Sequence, residues 1–417
     1  MPWFQPNLSR IARSAPGSVA LAMLLALSAG PALASPAFDA CAAVAASPFE
    51  PGFADIGKNQ FEIDETAAVP VCEEALSEEP DSAQLKTWLA RLYLIQGRVA
   101  AGLELLEEVS PAENLFAATL LGTILSGWDD VEPDLDRSIE LTRTAAEAGF
   151  APAQNNLGTV FDLGMGDTPV DFEEAAKWFR LAADQGYSAA QISLGHMYLF
   201  GEGVPFDEAE GLRLIMLAAE QSDPRAYQSL GTIYLTSPRV ANDPAKALEY
   251  FQRAADLGDV TSMVELGWMY NGNGVPENEQ LAFEWTKKGA DLGSAHGFAN
   301  LAWYYEAGVG TEADPGKAFA AAQRSAELGN AYGASILGRY YMAGIGTAVD
   351  YDAAFKWTSL SANAGDIEAK EALGTLYRNG WGVEQDLDRA LALYIEALAG
   401  GSTTAQAKID DFNRLSN

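Results

Sequence analysis

From residue 112 onward the apolar and small positions of the chain recur with a fixed period. A leucine followed by glycine or alanine returns at Leu121, Leu157, Leu194, Leu230, Leu266, Leu301, Leu337 and Leu373, in steps of 36, 37, 36, 36, 35, 36 and 36 residues. Four places before each stands a small residue: Ala117, Ala153, Ala190, Ala226, Ser262, Gly297, Gly333 and Ala369. An i, i+4 spacing puts both on one face of a helix. The next residue after each leucine is Gly122, Gly158, Gly195, Gly231, Gly267, Ala302, Gly338 or Gly374. Glycine inside a helix costs about 1 kcal/mol relative to alanine, so its recurrence calls for an offsetting gain, and close approach of a second helix supplies one. Leucine at Gly267 or Gly338 is therefore expected to do more damage than at a loop glycine. Four places after the leucine comes Phe161, Tyr198, Tyr234, Tyr270, Tyr305, Tyr341 or Tyr377, sized to fill the wedge between neighbouring units.

A second helix follows in each unit. It opens with a cap such as Asp171 with Glu174, Asp243-Pro244 or Asp314-Pro315, where aspartate accepts from orphan amides and proline takes the first helical position. It carries a bulky residue at Leu141, Trp178, Leu214, Tyr250, Trp285, Trp357 and Leu393, with small residues four and five places later, as in Ala182-Ala183. Gly149, Gly186, Gly258, Gly293, Gly329, Gly365 and Gly401 fall where a left-handed cap ends the helix, Ser222 being the exception. One such pair cannot bury both its apolar faces, so neighbours must stack, and the chain is an all-α solenoid.

Ala190-Gln-Ile-Ser-Leu-Gly-His-Met-Tyr-Leu-Phe-Gly-Glu-Gly-Val204 and Lys177-Trp-Phe-Arg-Leu-Ala-Ala-Asp-Gln-Gly186 resemble Sel1-like repeats, the longer-looped relatives of tetratricopeptide repeats. The resemblance implies a right-handed superhelix of antiparallel helix pairs, with seven repeats over 151–401. Residues 111–150 read as a degenerate copy, because Trp128-Asp129-Asp130 replaces the Gly-x-Gly loop. Residues 81–110, with Leu89-Ala90, Tyr93 and Gly97, resemble a tetratricopeptide-type pair. Residues 402–417 suit a polar capping helix. The stretch 35–80 departs from the repeat, with Pro48, Pro51, Gly52 and Gly57 breaking regular structure and a helix expected only over Ala67 to Leu76. It resembles the cysteine-bridged leader modules of exported Sel1-type proteins.

The N-terminus has the parts of an export signal: Arg10 and Arg13, an apolar run from Val19 to Ala29, and Ala32-Leu33-Ala34 as an A-x-A cleavage site before Ser35. Pro16, Gly17, Gly30 and Pro31 hold the run well below the roughly 20 residues of a membrane span. Cleavage after Ala34 and a periplasmic location are the expectation, with no membrane insertion afterwards. Cys41 and Cys72 are the only cysteines, and an even count in an exported chain favours a disulfide over a nucleophile. The net charge of −32 would repel nucleic acid and anionic headgroups.

Candidate chemistry is sparse. H-E-x-x-H, G-x-S-x-G, Walker and metal-spaced Cys/His patterns are absent, so no metal or cofactor is expected. Gly308-Val-Gly310 and Gly344-Ile-Gly346 lie between helices and follow no strand. Glu107-Glu108 and Glu173-Glu174 are adjacent acids on solvated helices, and His196 has no implied partner. Cysteine-rich members of the Sel1-type class are linked to penicillin-like compounds, but they bridge essentially every repeat, unlike this chain. A non-enzymatic scaffold that binds protein partners in its groove is the expected function. A narrower form is a regulator masking a membrane sensor or joining an envelope assembly, and a cell-wall or polysaccharide glycan-binding module is the alternative. The candidate surface lies two residues after each leucine: Thr159, His196, Thr232, Trp268, Trp303, Arg339 and Thr375. A core position would be uniformly apolar, so this one is expected to face outward, with Glu265 and Asn300 on the same stripe. Packing of Trp268 and Trp303 against the next repeat is the competing reading.

Overall fold

The computed structural model describes residues 35–415 apart from 51, 54, 59–61 and 129–130; the expected export signal, 1–34, lies outside the described residues. Among these, all extended regular structure is helical, in twenty-one α-helices. They form antiparallel pairs: α1 (Pro36–Ala45) with α2 (Glu65–Glu78), α3 (Ala83–Ile95) with α4 (Val99–Glu107), α5 (Leu115–Leu125) with α6 (Leu135–Glu147), and α7 (Ala151–Leu163) with α8 (Phe172–Asp184). The array continues with α9 (Ser188–Phe200) and α10 (Glu208–Glu220), α11 (Pro224–Thr236) and α12 (Pro244–Asp256), and α13 (Val260–Tyr270) and α14 (Glu279–Asp291). It ends with α15 (Ala295–Ala307) and α16 (Pro315–Glu327), α17 (Ala331–Ala343) and α18 (Tyr351–Asn363), α19 (Ile367–Asn379) and α20 (Leu387–Ala399), closed by α21 (Ala405–Leu415).

Each loop is tied at both ends by one residue. Asp171, Asp207, Asp243, Asn278, Asp314, Asp350 and Asp386 cap their second helices by accepting from the amide three residues on. Their own amides donate, at 2.7 to 3.0 Å, to the carbonyls of Phe161, Tyr198, Tyr234, Tyr270, Tyr305, Tyr341 and Tyr377. The aromatic rings fill the wedge between units: Tyr305, Tyr341 and Tyr377 meet Phe283, Phe319 and Phe355 of the preceding pair edge-on at 5.2 to 5.5 Å.

The stop positions follow the expected rule. The seven glycines have φ between 82 and 98°, and Ser222, at 60°, is the single described non-glycine residue with positive φ. A left-handed L-residue costs about 1–2 kcal/mol, part of which is returned by the stiffer unfolded chain. Ser222→Gly should therefore stabilise the protein by about 0.5 kcal/mol, read from urea denaturation; a loss of stability would show that the hydroxyl has a role of its own.

The helix glycines mark close contacts. A Cβ at Gly158 or Gly231 would sit 2.7 Å from the ring of Phe179 or Phe251, and one at Gly267 or Gly338 would overlap the hydroxyl of Thr286 or Thr358. The expectation that loop glycines are milder is corrected at one position. Gly203, Gly310, Gly346 and Gly382 have φ of 64 to 68°, and a Cβ there would overlap the carbonyls of Phe172, Glu279, Pro315 and Tyr351. Those are the first residues of the preceding second helices, so this glycine sets the spacing between repeats.

The stretch 35–80 is also more regular than its sequence suggests. α1 and α2 form a further stacked pair, bridged by Cys41–Cys72 with Cα atoms 4.8 Å apart. What departs from the repeat is their connection, of which Ala46, Glu50, Phe53 and Lys58 contact α3. At the other end Lys408 of α21 pairs with Glu371 and donates to Thr375, while Arg378 pairs with Asp411 at 2.8 Å; the final helix thus covers α19 as a next repeat would.

Candidate functional site

First helices of successive pairs touch one another, as α9 with α11, α15 with α17 and α17 with α19, and no second helices approach comparably. The first helices therefore line the concave side. Along them the positions five and one before the repeat leucine, and two after it, form a continuous stripe. The register is fixed by contacts between neighbours: Asn156 donates to Thr123 at 3.2 Å, and Ser229 is hydrogen-bonded to His196 Nε2 at 2.7 Å.

In α3 the stripe positions are Gln84, Trp88 and Arg91, counted from Leu89, and they are covered by the chain itself. Arg91, 8% exposed, donates through one nitrogen to the carbonyls of Ala45 and Ala46 at 2.9 and 3.0 Å, and through the other to that of Lys58 at 2.9 Å. Glu50, 5% exposed, accepts from the Trp88 indole at 3.0 Å, from Gln84 and from the Ser47 amide. Burial pushes the Glu50 carboxyl up and pulls Arg91 down to about 10. Phe53 packs edge-on against Trp88, and Phe49 extends to Tyr187, just before α9, with centroids 5.2 Å apart. A looped, turn-rich segment thus lies in the groove from α3 to α9, anchored by an aromatic ring, a carboxylate and backbone carbonyls.

Beyond α9 the stripe is open. Trp268 is 45% exposed, Trp303 40% and Tyr332, five before Leu337, 45%. Trp303 touches the Tyr304 ring of its own helix at 5.0 Å, so its indole lies across α15 with a large face toward solvent. Arg339 is exposed and forked onto Glu306 at 2.6 and 2.8 Å; the Tyr340 hydroxyl donates to the same carboxylate, which is held below its ordinary value by these donors. Asn300 and Glu265 are half-buried between the exposed rings. Thr159, His196 and Thr375 are half-buried too, and Thr232 is exposed.

Residues 115–150, 151–187, 188–223, 224–259, 260–294, 299–330, 331–366 and 367–402 each match the Sel1 repeat. The chain belongs to the Sel1 repeat family. Residues 64–118, spanning α2 to the first residues of α5, match the tetratricopeptide repeat, and no curated protein matches. Among solved structures, c5321, described as a protective antigen of uropathogenic Escherichia coli strains displaying an SLR fold, is 33% identical over 75% of this chain and 68% of its own, with a TM-score of 0.55. A Sel1 repeat protein from Oxalobacter formigenes is 30% identical over 71% of this chain and 86% of its own, with a TM-score of 0.54. Sel1 and tetratricopeptide-like solenoids generally mediate protein–protein interaction and are generally non-enzymatic scaffolds.

Within this Sel1 array, sequence reasoning left two features unseen. Counting the stripe back from Leu89 would have reached Gln84, Trp88 and Arg91, but nothing in the repeat announces that residues 46–58 cover them. His196, read as having no partner, meets Ser229, a seryl–imidazole pair joined across two repeats. The ring stacks on Phe200, and burial alone sets its titration, below the ordinary value; no carboxylate stands by to orient it or raise its basicity, as a nucleophile–base pair requires. The folded chain keeps this ring neutral where the unfolded chain takes up a proton, so His196 subtracts stability as pH falls below about 6.5. The stability lost between about pH 7.5 and 5.5 should be smaller in His196→Gln than in the wild type; an equal loss would place the ring's folded titration at its unfolded value. Among the described residues no His/Cys/Asp/Glu cluster could hold a metal, and no helix is long and apolar enough to cross a membrane.

Proposed function

We propose that this protein is a non-enzymatic scaffold or regulator of the bacterial periplasm that holds segments of partner proteins in the open part of its concave groove, α11 to α17. One observation carries the reading: the stripe positions five before and two after the leucine, which stand exposed in α13, α15 and α17, help to hold a polypeptide segment in α3, the chain's own residues 45–58. The groove is thus able to hold a polypeptide segment through its side chains and backbone carbonyls. Tryptophan, tyrosine and arginine are the residue types that most often dominate binding energy, and Trp268, Trp303 and Arg339 are consecutive steps along it. Export rests on the sequence features of residues 1–34, and the cysteine pair fits an oxidising compartment.

Capture of partners from crosslinked periplasm tests both parts. Trp268→Ala and Trp303→Ala should each weaken capture of a stoichiometric partner by about 2 kcal/mol while thermal melting is unchanged. Variants that lose stability yet bind normally once folded would return both tryptophans to the core. Retention on purified peptidoglycan in place of a protein would favour the glycan reading, and recovery of the chain in the cytoplasm with Met1 intact would refute export.

A further inference from the structure

We infer that the open groove recognises an arginine side chain on the bound segment, seated on Glu265 against the Trp268 indole; this rests on the groove reading above. Several carboxylates in and beside the groove are satisfied by the chain itself. Glu50 has Trp88, Gln84 and the Ser47 amide. Glu306 has both arms of Arg339 and the Tyr340 hydroxyl. Glu371 has Ser402, Thr404 and Lys408.

Glu265 is not among them. It lies half-buried on α13, one residue before Leu266, and no hydrogen bond or ion pair from the described residues reaches its carboxylate. Burial pushes its carboxyl up, outweighing the opposing effect of the exposed His296 ring on α15. A half-buried carboxylate without donors is costly, because it gives up water and receives nothing in return. What is missing is a donor delivered from outside.

The surroundings specify which donor. Trp268 stands three residues on along the same helix face, 45% exposed, and Trp303 follows one repeat later. The charge of this stretch is negative: Glu306, Asp366 and Glu368 all act on Tyr332, and the guanidinium beside them, that of Arg339, is already engaged by Glu306. The whole chain adds a net charge of −32, which favours approach of a basic segment. A planar guanidinium can fork onto a carboxylate and stack on an indole at once, which an ammonium cannot.

The test uses three fluorescein-labelled twelve-residue peptides in a Gly/Ser/Thr frame, with a central arginine, lysine or citrulline, titrated by anisotropy against the full chain at low salt. Citrulline keeps the planar shape and removes the charge. The arginine peptide should bind about tenfold more tightly than the citrulline peptide, with lysine between them. Glu265→Gln should bring arginine down to the citrulline level without lowering the melting temperature, since an unpaired carboxylate contributes no stability. Trp268→Ala should weaken all three. Equal binding of arginine and citrulline, a difference that survives Glu265→Gln, or no binding by any peptide overturns the inference. Partner capture separates this from the groove reading: dependence on Trp268 and Trp303 without dependence on Glu265 leaves the groove and removes the arginine, whereas indifference to all three removes both.

Discussion

Arg91→Ala is expected to cost about 3–5 kcal/mol and to release residues 36–58 from the solenoid while the later repeats stay helical. Arg91 donates to the carbonyls of Ala45, Ala46 and Lys58, and alanine removes all three bonds, leaving the Ala46 carbonyl only the Lys58 amide. It also removes the positive charge that partly offsets the effect of burial on Glu50, so the carboxyl beside Trp88 is pushed further up. With its native value near 10, the guanidinium is charged at neutral pH, and the loss is that of a buried cation with its partners. Arg91→Lys should rescue little, because one ammonium cannot reach carbonyls on two sides as the planar fork does. Each repeat contacts only its neighbours, so the damage stays local. Hydrogen exchange should rise across residues 36–58 and remain low from α7 onward. Unaltered protection in the first segment would mean that the Cys41–Cys72 pair and the aromatic contacts hold it without Arg91.

The second large effect separates glycines that look alike in the sequence. Gly338→Leu should cost about 3 kcal/mol or more, because its first carbon already overlaps Thr358 of the facing helix. Gly346→Ala should cost a similar amount from a loop: its φ of 68° is left-handed, which costs about 1–2 kcal/mol, and its Cβ would overlap the Pro315 carbonyl one repeat back. Gly365→Ala is the control. It has a φ of 96° with nothing within 4 Å of its added carbon, so it loses about 1–2 kcal/mol of backbone preference alone. Urea denaturation of the three variants orders them. If Gly346→Ala behaves like Gly365→Ala, the loop yields and does not set the spacing between repeats.

The repeat was legible because its signals are local. Leu-Gly with a small residue four places earlier, Asp at the cap and Gly at the stop each act within one or two turns of helix, where 3.6-residue periodicity and backbone sterics decide the outcome. Even the exception at Ser222 was marked, since no other residue in that series carries a side chain. Stacking follows from the same pattern, because a helix pair with two apolar faces has nowhere else to bury them. The outward direction of Trp268 and Trp303 came from the same counting.

What the sequence by itself determined, then, is the repeat helices beyond residue 80, their stops, their pairing and the face that Trp268 and Trp303 share. Tertiary structure alone decided which part of that face is occupied. Arg91 and Arg339 hold the same place after their leucines, yet Arg91 is buried against carbonyls from residues 45–58 and Arg339 is exposed on Glu306. His196 gained Ser229, and Glu265 gained no donor, by the same kind of difference. The physical reason is range: a periodic pattern encodes contacts within a helix and with the adjoining one, whereas a covering segment such as 46–58 lies more than 30 positions away from the residues it touches, and no spacing rule carries its path.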